Sequence, residues 1–188
     1  MSANLSAIIS FLSQVGTLKR VKRTGWLLSG ISSSQTESVA DHCFRMSLMA
    51  LSLGHLFPSI DLSRAITMSI VHDIAESIIG DITPGSPESV DKRARELAAL
   101  QTLIIDLPLN LQQLIRDLFC EYEDQNTPTS RFCKAMDKLE MVLQAAEYEN
   151  SQDLPLPQFF DSVKEHVKEW DDETISNVFD IIIKMRKF

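Results

Sequence analysis

The stretch Ser69–Asp81, S-I-V-H-D-I-A-E-S-I-I-G-D, decides how the chain is read. Its apolar residues recur with helical spacing, yet it carries His72, Asp73 and Glu76 within five positions and Asp81 directly after Gly80. At about 100° per residue, with His72 at zero, Glu76 falls at about 40° and Asp73 at about 100°. Ile70, Val71, Ile74, Ala75, Ile78 and Ile79 cover the remaining arc. A solvated helix face ordinarily sets Lys or Arg one turn from its acids. This stretch contains neither. An amphipathic helix with its polar face in water is one reading. The other is a face reserved for groups that ligate a metal or move a proton.

The same periodicity runs from end to end, so the fold class is all-α. Helices are predicted near residues 3–15, 37–56, 61–79, 87–105, 110–125, 128–149, 157–169 and 172–187, with no alternating strand pattern. Ser86-Pro87 and Thr127-Pro128 each place an N-cap before a proline at the first helical position. Asn110 with Gln113 reads as a variant capping box, and Gly80 as a helix-ending glycine. The segment 25–36 reads as a loop. A chain of 188 residues with 44% hydrophobic and 23% charged residues is expected to form one domain with a real core.

Composition narrows the function. A net charge of −8 argues against a nucleic-acid polymer as partner. No apolar run reaches the roughly 18 residues that a membrane helix needs. Three cysteines without CxxC spacing, and no secretory signal at the start, point to reduced thiols and a cytoplasmic protein. Lys19, Arg20, Lys22 and Arg23 cluster within five positions. They form either a solvated turn or a local patch that captures a small phosphate.

Two further helices carry titratable groups on apolar faces. In the helix at 37–56, Met46, Met49, Leu53 and Val39 share the stripe of His42, which therefore points toward the core. A core histidine and a metal ligand both fit there. In the helix at 128–149, Asp137 shares its face with Cys133, Met141 and Tyr148. Such an aspartate must be paired, hydrogen-bonded or metal-bound, and Lys134 and Lys138 are near enough to pair with it. Imidazoles and carboxylates without thiolates suit a divalent first-row metal, held as helical bundles hold ions, by inward side chains of facing helices.

The order His42, then His72-Asp73, then a distant Asp137 resembles the HD-domain phosphohydrolases. R-T-G-W at 23–26, E-S-V-A-D-H at 37–42, H-D-I-A-E-S-I-I-G-D at 72–81 and K-L-E-M-V-L-Q-A-A-E-Y-E at 138–149 are similar to the 5′-deoxynucleotidases within that group. The resemblance implies a single HD domain over 1–188, with a core at about 5–170 and a final helix at about 172–187. It implies one divalent ion (Mn, Co, Mg, Zn or Fe) held by His42, His72, Asp73 and Asp137. It implies hydrolysis of deoxyribonucleoside 5′-monophosphates to deoxynucleosides and phosphate, by a homodimer. In that reading Glu76 and Asp81 are catalytic, Glu76 toward water and Asp81 toward the leaving oxygen. Arg23 and Trp26 bind the phosphate, the latter with its indole N–H and flat face. Lys92 and Arg95 open a helix nearby and either reach the phosphate or face solvent. No histidine lies between His72 and Asp137, and His55 points away from His42, which favours a single metal. The alternatives are an HD-type nucleoside triphosphate hydrolase and a non-catalytic metal-binding helical scaffold.

Overall fold

Asn4, Ser38, Asp61, Thr127 and Asp172 each begin a helix in the same way. The side-chain oxygen accepts a backbone N–H three residues on, from Ala7, Asp41, Arg64, Ser130 and Ile175 respectively. These caps satisfy donors that the first helical turn leaves free. The structure, a computed structural model, describes residues 4–83 and 85–188. Within them lie α1 (Leu5–Val15), α2 (Thr24–Leu28), α3 (Val39–Leu53), α4 (Leu62–Val71), α5 (Glu76–Ile79), α6 (Lys92–Ile104), α7 (Leu109–Asp124), α8 (Pro128–Gln152), α9 (Pro157–Trp170) and α10 (Glu173–Ile183). Short 3₁₀ turns sit at Gly16–Lys19, Gly54–Leu56 and Pro87–Ser89. The architecture is all-α. The one β-type contact among the described residues is an isolated bridge between Lys22 and Ser38.

Several boundaries differ from those predicted, each for a local reason. The helix placed at 61–79 is two helices. Its ladder stops at Val71, and bonds from Ile74, Glu76, Ser77 and Ile78 then reach back three residues instead of four. The His72 ring contributes to the break, because its Nδ1 lies 3.0 Å from the Ser69 carbonyl. His72 and Asp73 therefore occupy a tight turn, and the angles of a regular helix do not apply to them. The predicted loop at 25–36 begins as helix α2. Ser86 caps only a 3₁₀ turn and its side chain makes no capping bond. Asn110 and Gln113 form no box: α7 starts after Pro108, and Gln113 bonds Asp117 instead. The helix predicted at 37–56 starts at Val39 and finishes in a 3₁₀ turn. The start predicted at residue 3 lies outside the described residues.

Helix α8 is the spine. Its residues Cys133, Ala135, Met136, Leu139, Val142, Ala145 and Ala146 have no exposed surface, and small side chains let α3 and α4 approach closely. One apolar cluster joins α3, α4, α8, α9 and α10 through Met46, Met68, Met136, Leu139, Phe160 and Phe179. A second joins the first 3₁₀ turn, α3, α6 and α7 through Leu18, Val39, Leu100, Ile104 and Phe119. Val71 packs against both clusters. The next residue is His72, so the polar site opens at the seam between them. No helix among the described residues is long and apolar enough to cross a membrane.

Candidate metal centre

Three separate pieces of chain bring ligand-type atoms together. The buried stripe of α3 delivers His42, the turn after α4 delivers His72 and Asp73, and α8 delivers Asp137. Ligand atoms of His42, His72 and Asp73 all lie within 4.8 Å of one another. His42 Nε2 stands 3.3 Å from Asp137 Oδ1 and 4.0 Å from Asp73 Oδ2, and His72 Nε2 stands 3.1 Å from Asp73 Oδ2.

Both Nε2 atoms are buried and neither makes a hydrogen bond of acceptable geometry. Each ring's Nδ1 is already engaged: His42 with Glu140, and His72 with the Ser69 carbonyl. A nitrogen lone pair left over in a polar, buried cluster fits a metal ion, which wants neutral imidazole with its other nitrogen held by an acceptor. The charges agree. Burial and Arg23 push His42 down, but Glu140 and Asp137 outweigh them and lift it to about 10. At neutral pH the carboxylates thus hold a proton on Nε2, facing Asp137, and a metal cation binding there would displace that proton. Burial opposes ionisation of Asp73, yet His72 and Arg23 hold it well below the usual carboxylate range. Asp137 is likewise held low by Lys134, Lys138 and His42 against the effect of burial.

Asp137 has further support. Its Oδ2 accepts from the Tyr122 hydroxyl at 2.9 Å and lies 3.3 Å from Lys134 Nζ and 3.9 Å from Lys138 Nζ. The lysine pairing and the placement beside His42 are therefore simultaneous, one for each carboxylate oxygen. The Tyr122 ring also packs 4.8 Å from the His72 ring. Periodicity shows that Tyr122 faces inward but not that it touches a carboxylate.

The remaining singled-out residues surround a cavity of about 360 Å³ beside this cluster. Arg23, Trp26, Asp73, Glu76, Asp81 and Asp137 all contribute to its walls. Arg23 Nη1 is 3.5 Å from Asp73 Oδ2 and 3.7 Å from Asp81 Oδ1. Glu76 is buried, with an oxygen that finds no partner. Burial, Asp73 and Asp81 push its carboxyl well above the usual range. Gly80, at φ +77°, turns the chain so that Asp81 returns to α2, where it accepts from Thr24 N–H at 2.5 Å. Trp26 differs from expectation. It is 2% exposed, and its indole N–H donates to Glu37 Oε1 at 2.8 Å, so that donor is already committed. Its ring presses on Phe159, with centroids 4.2 Å apart. Lys92 lines the cavity and pairs with Glu96 at 3.3 Å, whereas Arg95 is an exposed residue outside the lining. A larger groove of about 640 Å³ lies between α1, α5 and α6. Its described lining has Asp106 as the only ionisable side chain, which suits it poorly to chemistry.

Residues 15–178 match the model of the HD domain family. The chain is 41% identical over 160 residues to the 5′-deoxynucleotidase HDDC2 of Danio rerio, covering 84% of this chain and 78% of the fish protein. It is 40% identical over 153 residues to the 5′-deoxynucleotidase hdd1 of Schizosaccharomyces pombe, covering 79% of this chain and 75% of the yeast protein. In three dimensions it is similar to a conserved hypothetical protein from Pyrococcus furiosus. The TM-score is 0.74 at 30% identity, and the match covers 96% of this chain and 99% of the other.

Proposed function

The chain belongs to the HD-domain family, and on that premise we propose that it is a metal-dependent 5′-deoxynucleotidase. It cleaves deoxyribonucleoside 5′-monophosphates to the deoxynucleoside and inorganic phosphate. The observation that carries this reading is the pair of buried Nε2 atoms without hydrogen-bond partners, set between carboxylates at the wall of a cavity that also presents Arg23. At about 360 Å³ the cavity falls within the size range of small-ligand sites, roughly 300–1,000 Å³.

His42, His72, Asp73 and Asp137 hold one divalent ion in this proposal. Such an ion supplies an acidified water near neutral pH and neutralises phosphate oxygens. The protein's own groups do the rest. Arg23 engages the phosphate with its fork of donors, released in part from Asp73 and Asp81. Glu76, buried with an unpartnered oxygen, takes a proton from the attacking water as the water adds to phosphorus. Asp81, fixed by Thr24, faces the leaving oxygen. Trp26 shapes the wall with its ring, because its N–H is spent on Glu37.

The proposal extends to the whole chain as one HD domain, to the cytoplasm as its location, supported by three free cysteines, and to a homodimer. Exposed Leu5, Ile9 and Leu12 on α1, and Phe44, Leu48 and Leu51 at helical spacing on α3, support the last point. The test is phosphate release from deoxy- and ribonucleoside monophosphates after stripping with chelator and adding back Mn²⁺, Co²⁺, Mg²⁺, Zn²⁺ or Fe²⁺ singly. Metal-dependent release from the deoxy series is expected. No release with any of the ions sinks the proposal.

A further inference from the structure

We infer that Glu140 is a positioning residue for the metal centre: its carboxylate, anchored by Arg45, holds His42 by Nδ1 and so aims Nε2 at the ion. The inference rests on the reading of His42 as a ligand.

Glu140 has no exposed surface. A carboxylate taken out of water is strongly disfavoured unless charged or hydrogen-bonding partners meet both oxygens. Here both are met. Oε2 contacts His42 Nδ1, and Oε1 accepts from Arg45, with Nε at 2.8 Å and Nη2 at 2.7 Å. His42 and Arg45 are three residues apart on α3, so one helical face presents both partners to one carboxylate on α8. Arg45 is fixed in turn. Its Nη2 donates to Gln144 Oε1 at 2.5 Å and its Nη1 to Glu147 Oε2 at 2.6 Å. Glu140, Gln144 and Glu147 follow the i, i+4, i+7 rows of α8, so the guanidinium is clamped along two turns of that helix. The carboxylate cannot rotate away from His42 without breaking these contacts.

The arrangement decides how His42 behaves as a donor. An acceptor at Nδ1 places the ring proton there and leaves the Nε2 lone pair for an ion, and an anionic acceptor also makes the ring more basic. His72 has only a neutral acceptor at Nδ1, the Ser69 carbonyl at 3.0 Å. The two imidazoles are thus unequal, and the one with the carboxylate behind it is the stronger donor. Glu140 also lies three residues after Asp137, so a single helix supplies one direct ligand and the support of another.

Glu37, His42 and Glu140 also lie close enough to enclose an ion of their own. That role conflicts with their contacts. Trp26 N–H occupies Glu37 Oε1, and the Arg45 guanidinium already stands as the cation on Glu140 Oε1.

The test measures Co²⁺ affinity on chelator-stripped protein, by competition with a chromogenic chelator, for wild type, Glu140→Gln, Arg45→Met and His42→Ala. Circular dichroism reports whether each variant is folded. Glu140→Gln is expected to weaken Co²⁺ binding about 10–100-fold, the usual range for loss of a supporting group, and to shift the visible bands of the Co²⁺ protein. Arg45→Met is expected to weaken binding by less, in the same direction. Wild-type affinity in Glu140→Gln, with His42→Ala weakened, overturns the inference. Should Glu140→Gln not fold, wild-type affinity in Arg45→Met overturns it instead. Wild-type affinity in His42→Ala removes the ligand reading itself, and the inference falls with it.

Discussion

Arg23 and Asp81, far apart in sequence, are joined twice: directly, with Nη1 3.7 Å from Oδ1, and through the neighbouring Thr24 N–H, which donates to Asp81 Oδ2 at 2.5 Å. These contacts tie the start of α2 to the exit of α5, and so hold the arginine proposed to meet the phosphate in register with the acid proposed to face the leaving oxygen. Arg23→Ala is expected to raise KM for deoxynucleoside monophosphates by roughly 10–100-fold, the worth of about 1.5–3 kcal/mol for a hydrogen bond to a charged group. A further drop in kcat means that the contact tightens in the transition state. Steady-state phosphate release checks this. An unchanged KM removes Arg23 from the phosphate site.

Glu76 has the burial and the unpartnered oxygen of a proton-exchanging group, and it lines the same cavity as Asp73. Glu76→Ala is expected to keep its metal while turnover falls about 10²–10⁴-fold, the usual contribution of a general acid–base group. Metal content by elemental analysis and single-turnover rates are to be measured on the same preparation. Loss of the metal in this variant makes Glu76 a ligand; retained turnover makes it a bystander.

The helical architecture is legible in the sequence because apolar spacing and caps act locally: Thr127-Pro128 opens α8 where its chemistry says it must. The break after Val71 is not legible, since the apolar pattern runs through it without interruption. A side-chain contact to a carbonyl three residues back marks it instead. The convergence of His42 with His72-Asp73 is suggested by a histidine on an apolar stripe. The contacts of Glu140, Arg45 and Tyr122 are tertiary pairings, and periodicity says only which way a residue faces. Trp26 illustrates the same limit, because Glu37 lies eleven positions on and nothing local connects the indole N–H to it.

The C-terminal end of α8 offers a test of stability away from the chemistry. Glu149 has no exposed surface and receives Arg186 at 2.9 and 2.8 Å and Leu156 N–H at 2.9 Å. Burial raises its pKa, but Arg186 and the Leu156 amide outweigh that and hold it below the ordinary carboxylate value. A depressed folded pKa gives stability that is present above the unfolded value of about 4.3 and is lost as pH falls through the folded value. Arg186→Ala is expected to cost about 2 kcal/mol at pH 7, within the range for hydrogen bonds to a charged group, because the pair is only partly buried. The gap between wild type and variant should narrow below about pH 4. Urea melts from pH 7 to pH 3 measure both, and a gap that stays constant with pH disproves the linkage.

If Arg23 and the ion bind the phosphate as proposed, substrate length depends on how many cations the cavity has to spare. Arg23, Lys92, Lys134 and Lys138 line it, but Lys92 already faces Glu96, and Lys134 and Lys138 already face Asp137. Arg23 is shared between Asp73 and Asp81, from which a phosphate can draw it. A monophosphate needs only this arginine and the ion. A triphosphate brings further negative charge past Asp73, Glu76, Glu96 and Glu123, which also line the cavity, with no unshared lysine there to meet it. Monophosphates are therefore expected to exceed triphosphates in kcat/KM by at least about tenfold, equivalent to roughly 1.4 kcal/mol of unmatched charge. Deoxynucleoside mono- and triphosphates, assayed side by side with the same ion, decide the matter. Comparable or faster release from triphosphates means that the lysines leave their carboxylates to bind substrate, and Lys134→Ala and Lys138→Ala would then abolish the triphosphate activity first.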